Sequence, residues 1–361
     1  MLGFAVIGAQ SAMLFSDEEN FLVVMAELLC ATLFSFLAIL IHLILHEAGH
    51  LVFGLASGFH FVSFRVFNLM LQKDADGKLR FHRYTLAGTA GQCIMSPPEI
   101  KDGRMPYFRY NIGGVAVNFI IAAISAVLYF AVRGHALLSF GLMTFVVTGL
   151  MIGLVNGLPF PGITNDGRNI VILSQLPAAR KAFYIQMQGI VMLIKGVSVK
   201  DFPAEWFVMP TDEELQNPMC AVIAVYICDR LLDEAKYAEA QATIDMLLQK
   251  QNAFYDIHRL QLRCNALFCE LTGARCSTKI DGYYDDELKK FMKAMQSYPG
   301  VIRTQYAYEL LYRHDTAAAK KQLQRFEKAA LTYPYQVEIT SERAAIEYAD
   351  SKADTADSIQ S

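Results

Sequence analysis

The first long apolar stretch, residues 21–56, is the feature that most constrains this 361-residue chain. It contains only two charged residues, Glu27 and Glu47, and it exceeds the roughly 20 apolar residues that a helix needs to cross a bilayer. Residues 111–132 and 136–157 are two further apolar runs of membrane-spanning length. The sequence therefore predicts a chain whose first part is embedded in a membrane through three helices.

The first run also carries His46, Glu47 and His50 in the order His-Glu-x-x-His. Residues i and i+4 of a helix lie on one face about one turn apart, so both imidazoles can reach one ion, which is the spacing of zinc proteases. Glu47 is then placed to take a proton from a water whose pKa the ion lowers from 15.7 to about 7. The alternative is a chance match on a core helix, but ionisable groups at bilayer depth cost a few kcal/mol each unless they are paired or bind a metal.

His42 extends the same helical stripe by one more turn. It lies one turn beyond the other two histidines, so we do not expect it to be a metal ligand. We expect it to pack against the site or to support the ligands.

Composition agrees with a membrane chain and divides it in two. Hydrophobic residues make up 54% and charged residues 19% of the chain, compared with about 25% charged residues in a typical soluble domain. Residues 1–200 hold the long apolar runs and are predicted to form a membrane-embedded domain, whereas residues 201–361 resemble an ordinary soluble helical domain. The net charge of −3 and the lack of a basic stripe with interleaved aromatic residues exclude nucleic acid as a partner.

The seven cysteines form no C-x-x-C pair, and their number is odd. This usage predicts reduced thiols in a reducing compartment, most simply as scattered small core residues.

The loop charges predict the orientation, because Lys and Arg next to spans are retained on the cytoplasmic side. The segment 57–110 and the segment after the third span are both rich in Lys and Arg, so we expect both on the cytoplasmic side, together with the C-terminal domain. The first span then runs from outside to inside, with the histidine pair towards its cytoplasmic half. Residues 1–15 are apolar but short, and whether they form a partial span stays open.

A catalytic zinc needs a third protein ligand and one open position. The third apolar run ends in a stretch broken by Pro159 and Pro161, after which Asp166 follows where the chain re-enters a helix. Non-helical backbone at membrane depth is tolerated only when it is buried in protein or lines a wet cavity. Asp166 is therefore the candidate for the third ligand.

Together these motifs resemble those of the site-2 protease family of intramembrane zinc metalloproteases, over about residues 35–170. The resemblance implies one Zn²⁺ per chain, with His46, His50 and Asp166 as its ligands and Glu47 as the general base. Gly49 matches the small residue usual before the second histidine. The chain departs from the family pattern by two additional residues between the second proline and Asp166, and by Arg168 where a second glycine is common.

The family's middle helix often carries Gly-Pro-x-x-Asn, and the counterpart here is Gly114-Val115-Ala-Val-Asn118. Two roles for Asn118 remain open. Its amide could act in catalysis by donating a hydrogen bond to a developing oxyanion or to the substrate backbone. Alternatively, it could hold two helices together, as intramembrane amides also do.

Segments near 60–72 and 78–86 predict a membrane-associated β-hairpin, because both are rich in aromatic and β-branched residues and Asp76-Gly77 between them is a strong turn signal. A protease must hold a transmembrane substrate extended, and an edge strand can do this by β-augmentation. The resemblance suggests that the segment 84–91 supplies this edge. A hairpin that lies on lipid headgroups through its arginines is the alternative.

The rest of the chain is predicted to be helical. Residues 169–200 are predicted to form one or two amphipathic helices. The prolines that follow, Pro203, Pro210 and Pro218, predict a linker. Two repeat signals occur in this part of the chain. One pattern is found twice, as Leu231-Leu232, Tyr237 and Ala240 and again as Leu310-Leu311, Thr316 and Ala319. The Tyr-Pro pairs at 298 and 333 are 35 residues apart, close to the tetratricopeptide period of 34. Residues 213–350 thus resemble a degenerate tetratricopeptide-like array, which would offer a groove to a cytoplasmic protein partner. A plain helical domain is the alternative.

The sequence thus predicts a mostly α, multi-pass cell-membrane protein that consists of three core transmembrane helices, a membrane-associated β-hairpin and a soluble helical-repeat domain. The expected activity is zinc-dependent cleavage of a peptide bond within or next to a transmembrane segment of a protein substrate in the lipid bilayer. A membrane scaffold that cleaves nothing and acts through its helical repeats is the alternative. A histidine-rich lipid hydroxylase would need more histidine clusters than this chain has.

Overall fold

The computed structural model describes residues 21–84, 89–100, 104–132, 134–160 and 164–360. Within these ranges the chain is mostly helical, with four short β-strands. It divides into two compact units. The first contains the described residues up to Phe67 together with Thr89–Gln175, and the second contains Asn68–Gly88 and the described residues from Leu176 onward. The sequence-based boundary at residue 200 rests on composition and stays a prediction.

Three long helices dominate the first unit: α1 (Phe21–Leu55), α2 (Tyr107–Ala131) and α3 (Ala136–Gly157). Each is long and apolar enough to cross a membrane, which confirms that the three apolar runs form helices of spanning length. Large apolar side chains such as Leu29 and Val127 are exposed on them, whereas polar side chains are buried between them. This distribution is inverted relative to a soluble bundle, as expected for helices that face lipid.

α1 and α2 cross closely because a glycine of each lies at the contact. A Cβ added to Gly49 would lie 2.4 Å from the carbonyl oxygen of Gly113, and a Cβ added to Gly113 would lie 2.5 Å from that of Gly49. Small residues allow helix backbones to approach in this way. Gly49 therefore brings the face that carries His46 and His50 against α2.

The four strands form two antiparallel pairs, one in each unit. In the first unit, β1 (His60–Val66) pairs antiparallel with β4 (Gly91–Ser96), with an irregularity between Phe61 and Ser63. In the second unit, β2 (Leu69–Lys73) pairs antiparallel with β3 (Leu79–Arg83), and Leu71 faces Phe81.

The predicted turn at Asp76-Gly77 is confirmed, since Gly77 has a φ of +81° between β2 and β3. The predicted two-strand hairpin is only part of the arrangement, because the predicted strand 60–72 breaks into β1 and β2 at Phe67, whose φ is +52°. Arg65 stabilises this break: its buried guanidinium donates to the carbonyl oxygens of Phe67 and Thr89. Arg65 is therefore not available to lipid headgroups. Part of the segment 84–91 lies outside the described residues.

After α3 the first unit ends with α4 (Asp166–Gln175). The second unit continues with α5 (Pro177–Ile194), so the predicted amphipathic stretch consists of two helices, and a proline begins the second. Short 3₁₀ turns occupy much of the predicted linker up to Asn217, whose side chain accepts hydrogen bonds from the first amides of the next helix.

The remaining helices of the second unit pack around a core that includes Leu267, Phe268 and Phe326. They are α6 (Pro218–Asp233), α7 (Tyr237–Gln249), α8 (Asp256–Thr272), α9 (Ser277–Tyr283), α10 (Asp286–Ala294), α11 (Pro299–Leu311), α12 (Thr316–Ala330) and α13 (Gln336–Gln360). The turn between α6 and α7 contains Ala235, with a φ of +56°, and the turn between α11 and α12 contains His314, with a φ of +54°. Each of these residues follows its Leu-Leu pair by the same number of residues. The tetratricopeptide-like assignment itself stays a prediction.

All seven cysteines are free thiols, and five of them are buried.

Candidate metal centre

Three side chains from two helices converge at one point of the first unit. His46 and His50 lie one turn apart on α1, and Asp166 is the first residue of α4. Asp166 Oδ2 is 3.1 Å from His46 Nε2 and 3.4 Å from His50 Nε2, and the two nitrogens are 3.2 Å apart. Ligand atoms about 2.0–2.1 Å from a tetrahedral zinc would be roughly 3.3 Å from one another. The three atoms therefore have the separations of a metal-binding group.

The hydrogen bond on the far side of His50 leaves its Nε2 available as a ligand. His50 Nδ1 lies 2.8 Å from the carbonyl oxygen of Tyr110, which can only accept a hydrogen bond. His50 therefore carries its proton on Nδ1 and a lone pair on Nε2, the tautomer that a metal requires. Tyr110 is itself fixed, because its hydroxyl donates to the carbonyl oxygen of Cys93 at 2.6 Å and its ring stacks on Phe59.

Asp166 supplies the third donor atom. Its Oδ2 is buried, and apart from the two imidazole nitrogens it has no hydrogen-bond partner within the described part of the chain. A buried carboxylate oxygen without a hydrogen-bond donor is costly unless a cation neutralises it. The residues present thus fit a divalent metal ion, and the His46, His50 and Asp166 group could hold one.

Asn165 positions Asp166 and was not singled out from the sequence. Its amide donates to the carbonyl oxygens of Val155 and Leu158 at the end of α3, at 2.6 and 2.7 Å. Its Oδ1 accepts from the backbone N–H of Arg168 at 2.8 Å, which caps the N-terminus of α4. Asn165 thus joins the two helix ends and sets where Asp166 points. An asparagine directly before a predicted helix is the signal that could have identified it.

Glu47 is buried next to this group and beneath β4. The backbone N–H of Cys93 donates to its carboxylate. A Cβ added to Gly91 would lie 2.6 Å from Glu47 Oε1, so only glycine allows β4 to approach this closely. Gly91 was predicted only as the end of a strand, and its contact with Glu47 depends on the tertiary fold.

Gly114 of α2 faces the two ligand nitrogens. A Cβ added there would lie 2.7 Å from both His46 Nε2 and His50 Nε2. The residue quoted from the family pattern is therefore in direct contact with the candidate metal position. Its missing side chain provides the space that the group needs.

Asn118 lies one helical turn further along α2 and is fully buried. Its Nδ2 is 2.9 Å from His46 Nδ1, and its Oδ1 is 3.1 Å from His42 Nδ1. His42 is also fully buried, and its Nε2 is 3.0 Å from the carbonyl oxygen of Phe145 on α3. His42 is thus connected to the candidate ligand His46 through Asn118.

Comparison of the chain with protein-family models, with curated proteins and with solved structures finds no match.

Proposed function

We propose that this protein is an intramembrane zinc endopeptidase that resembles the site-2 protease family and cleaves a peptide bond within or next to a transmembrane segment of another protein. The observation that carries the proposal is the approach of Asp166 Oδ2 to within 3.1 and 3.4 Å of the two histidine nitrogens of a His-Glu-x-x-His helix. That helix is long and apolar enough to cross a membrane. A soluble protease would not need its metal ligands on such a helix.

The donor set favours zinc. Two imidazole nitrogens and one carboxylate oxygen make three protein ligands, which is the number found in catalytic zinc sites that keep a fourth position open. Zinc, when bound, would polarise the scissile carbonyl and acidify water so that it can attack near neutral pH.

Glu47 is the general base in this mechanism. It is the residue after His46, and its carboxylate is buried and held by the N–H of Cys93. This position allows it to take a proton from the attacking water and to pass one to the leaving amine. His46, His50 and Asp166 hold the ion throughout.

Strand β4 is the element that we propose binds the substrate. Within the first unit it pairs with β1 on one side, and its first residue, Gly91, lies against Glu47. A peptide bond inside a helix is protected because its carbonyl is already hydrogen-bonded, so the substrate must be unwound and held extended. Pairing of the unwound segment with an edge strand provides this. The substrate edge is thereby assigned to β4, at the end of the segment 84–91 suggested by the sequence.

The membrane topology is part of the proposal. Three helices of spanning length support a multi-pass protein of the cell membrane. The excess of Lys and Arg in the segment 57–110 supports a cytoplasmic position for that segment and for the C-terminal domain. The C-terminal helices would then recruit a protein partner or deliver the substrate.

The test is a comparison of wild type with Glu47→Gln, both purified at full length and supplied with a model transmembrane substrate. We expect Glu47→Gln to lose cleavage and to keep a zinc content near one per chain, because glutamine cannot accept the water proton and Glu47 is not a ligand. Glu239→Gln, an exposed substitution on α7, is the matched control and should cleave like wild type. Unchanged cleavage by Glu47→Gln would remove Glu47 from the mechanism.

A wild-type protein that binds zinc and cleaves no membrane peptide would favour the scaffold. To look for natural substrates, we would compare the membrane peptides that accumulate in cells with wild type and in cells with Glu47→Gln. Truncated transmembrane fragments present only with wild type would identify the substrate.

A further inference from the structure

His42, Asn118 and His46 form a continuous hydrogen-bonded chain across the three long helices. His42 and His46 lie on α1, Asn118 lies on α2, and the chain ends at the carbonyl oxygen of Phe145 on α3. His42 and Asn118 are both 0% exposed. Every contact in the chain is 3.1 Å or shorter, so the protons in it must be arranged consistently.

The proton arrangement starts at Phe145. Its carbonyl oxygen can only accept, so His42 Nε2 must carry a proton. A neutral imidazole carries one proton, so His42 Nδ1 is then an acceptor and needs a donor from Asn118. The oxygen and nitrogen of an amide have the same shape, and the hydrogen bonds decide which is which. Rotation of the amide by 180°, which exchanges Oδ1 and Nδ2 at these two positions, satisfies both rings. The amide nitrogen of Asn118 then faces His42, and its oxygen faces His46.

The opposite orientation of the amide has two costs. His42 would need a proton on both nitrogens, which makes it a buried cation whose contacts are an amide and a carbonyl, an expensive state within a membrane. His46 Nδ1 would become an acceptor, so the His46 proton would be on Nε2, the atom that faces Asp166 and His50. A protonated Nε2 cannot bind a metal.

We propose that Asn118 is a positioning residue that orients His46 for the metal by accepting a hydrogen bond from His46 Nδ1–H through its Oδ1, with its amide held in this orientation by His42. This inference rests on the metal site of the proposed function. It replaces the oxyanion role considered for Asn118, because the amide nitrogen is already used by His42. It also gives His42 a specific task, which is to set the direction of the Asn118 amide.

The packing around His42 supports a fixed role. A Cβ added to Gly149 of α3 would lie 2.5 Å from His42 Cε1, so α3 packs directly against the ring. The backbone of α3 therefore confines the ring on this side. Both candidate ligand histidines then have a fixed acceptor on the nitrogen that faces away from the metal: the Tyr110 carbonyl for His50 and the Asn118 amide oxygen for His46. Such partners of metal ligands contribute roughly 10- to 100-fold to metal affinity or activity.

The test measures zinc affinity in the full-length protein in detergent, by competition with a chromogenic chelator. Asn118→Leu removes the acceptor, and we expect zinc to bind roughly 10- to 100-fold more weakly. Asn118→Asp keeps an acceptor oxygen towards His46, and its second oxygen faces His42 Nδ1. His42 can take up a proton there and form an ion pair with the new carboxylate, so this variant should bind zinc nearly as well as wild type. Thr144→Val is the matched control, because the buried Thr144 hydroxyl donates to the Phe140 carbonyl in its own helix. Thermal unfolding with excess zinc shows whether each variant is folded.

The outcomes separate the possibilities. If Asn118→Asp loses as much affinity as Asn118→Leu, an acceptor oxygen beside His46 does not support zinc binding and the proposal is overturned. If Asn118→Leu binds zinc like wild type and loses only turnover, Asn118 acts on the substrate and the proposal is again overturned. Should Asn118→Leu not fold, the affinity of Asn118→Asp alone decides.

The visible spectrum of the Co²⁺-substituted protein gives a second readout, since a reoriented His46 would change the ligand field in Asn118→Leu and not in Asn118→Asp. The results distinguish a failure of the proposed protease function from a failure of the role proposed for Asn118. A wild type that binds zinc but cleaves nothing removes the protease and leaves the role of Asn118 intact. Equal zinc affinity in wild type and Asn118→Leu removes the role of Asn118 and leaves the protease. A wild type that binds no zinc overturns both.

Discussion

The substitution Gly114→Ala tests the geometry of the metal centre most directly, because it adds one methyl group beside both ligand nitrogens. The methyl carbon would lie 2.7 Å from His46 Nε2 and 2.7 Å from His50 Nε2, whereas ordinary contact begins at 3.4 Å. Each nitrogen would therefore have to retreat by about 0.7 Å, the difference between these two distances. A zinc ion 2.0–2.1 Å from both nitrogens would be in contact with the same methyl group.

Neither ring can retreat freely. His50 is held by the Tyr110 carbonyl at 2.8 Å, and His46 by the Asn118 amide at 2.9 Å. Overpacking of a fixed site costs about 1–3 kcal/mol. Since each 1.4 kcal/mol is tenfold in affinity, we expect zinc to bind about 5- to 150-fold more weakly in Gly114→Ala.

The assay is chelator competition on the full-length protein, with two control glycines. Gly134→Ala has no atom within 4 Å of the added Cβ and should behave like wild type. In Gly113→Ala the added methyl carbon would lie 2.5 Å from the Gly49 carbonyl oxygen, between the same two helices but away from the histidine nitrogens. This variant should mainly lower the unfolding temperature. If a folded Gly114→Ala binds zinc with wild-type affinity, the placement of the metal is refuted. If its loss of zinc affinity is no larger than that of Gly113→Ala, the effect comes from displacement of the helices.

Two further predictions concern the third ligand and the second unit. Asn165→Ala removes the cap of α4 and the hydrogen bonds to the end of α3. We therefore expect the free energy of unfolding to fall by about 0.5–2 kcal/mol and zinc to bind more weakly through Asp166. An unchanged unfolding temperature and zinc affinity would contradict the role of Asn165. Burial next to the carboxylates of Glu338 and Glu342 raises the pKa of Asp229 to about 7, so the folded state holds a proton that the unfolded state releases near pH 4. Stability from this proton is complete below about pH 4 and is lost as the pH rises through about 7. Denaturant unfolding from pH 4 to 8 should therefore show a decline that Asp229→Asn reduces, and an equal decline in both proteins would exclude Asp229 as its source.

The three long apolar helices were predictable because their length and composition match what a bilayer requires of a spanning segment. Every backbone group in a bilayer must be satisfied within its own segment, so an apolar run of sufficient length has to be a helix. The position of Glu47 and of the histidine pair follows in the same way from the helical period. The prediction for residues 60–86 was less complete. A positive φ at Phe67, stabilised by the buried Arg65, turns one predicted strand into two.

The sequence by itself determined the three apolar helices, the spacing of His46 and His50 and the turn at Gly77, because each depends on neighbours in the chain. Only the tertiary structure brought Asp166 to the histidines, Gly114 to their nitrogens and Asn118 between two rings. These contacts join residues far apart in the sequence. Their geometry depends on how closely the helices approach, which is set by glycines whose role is visible only when the opposing atoms are known.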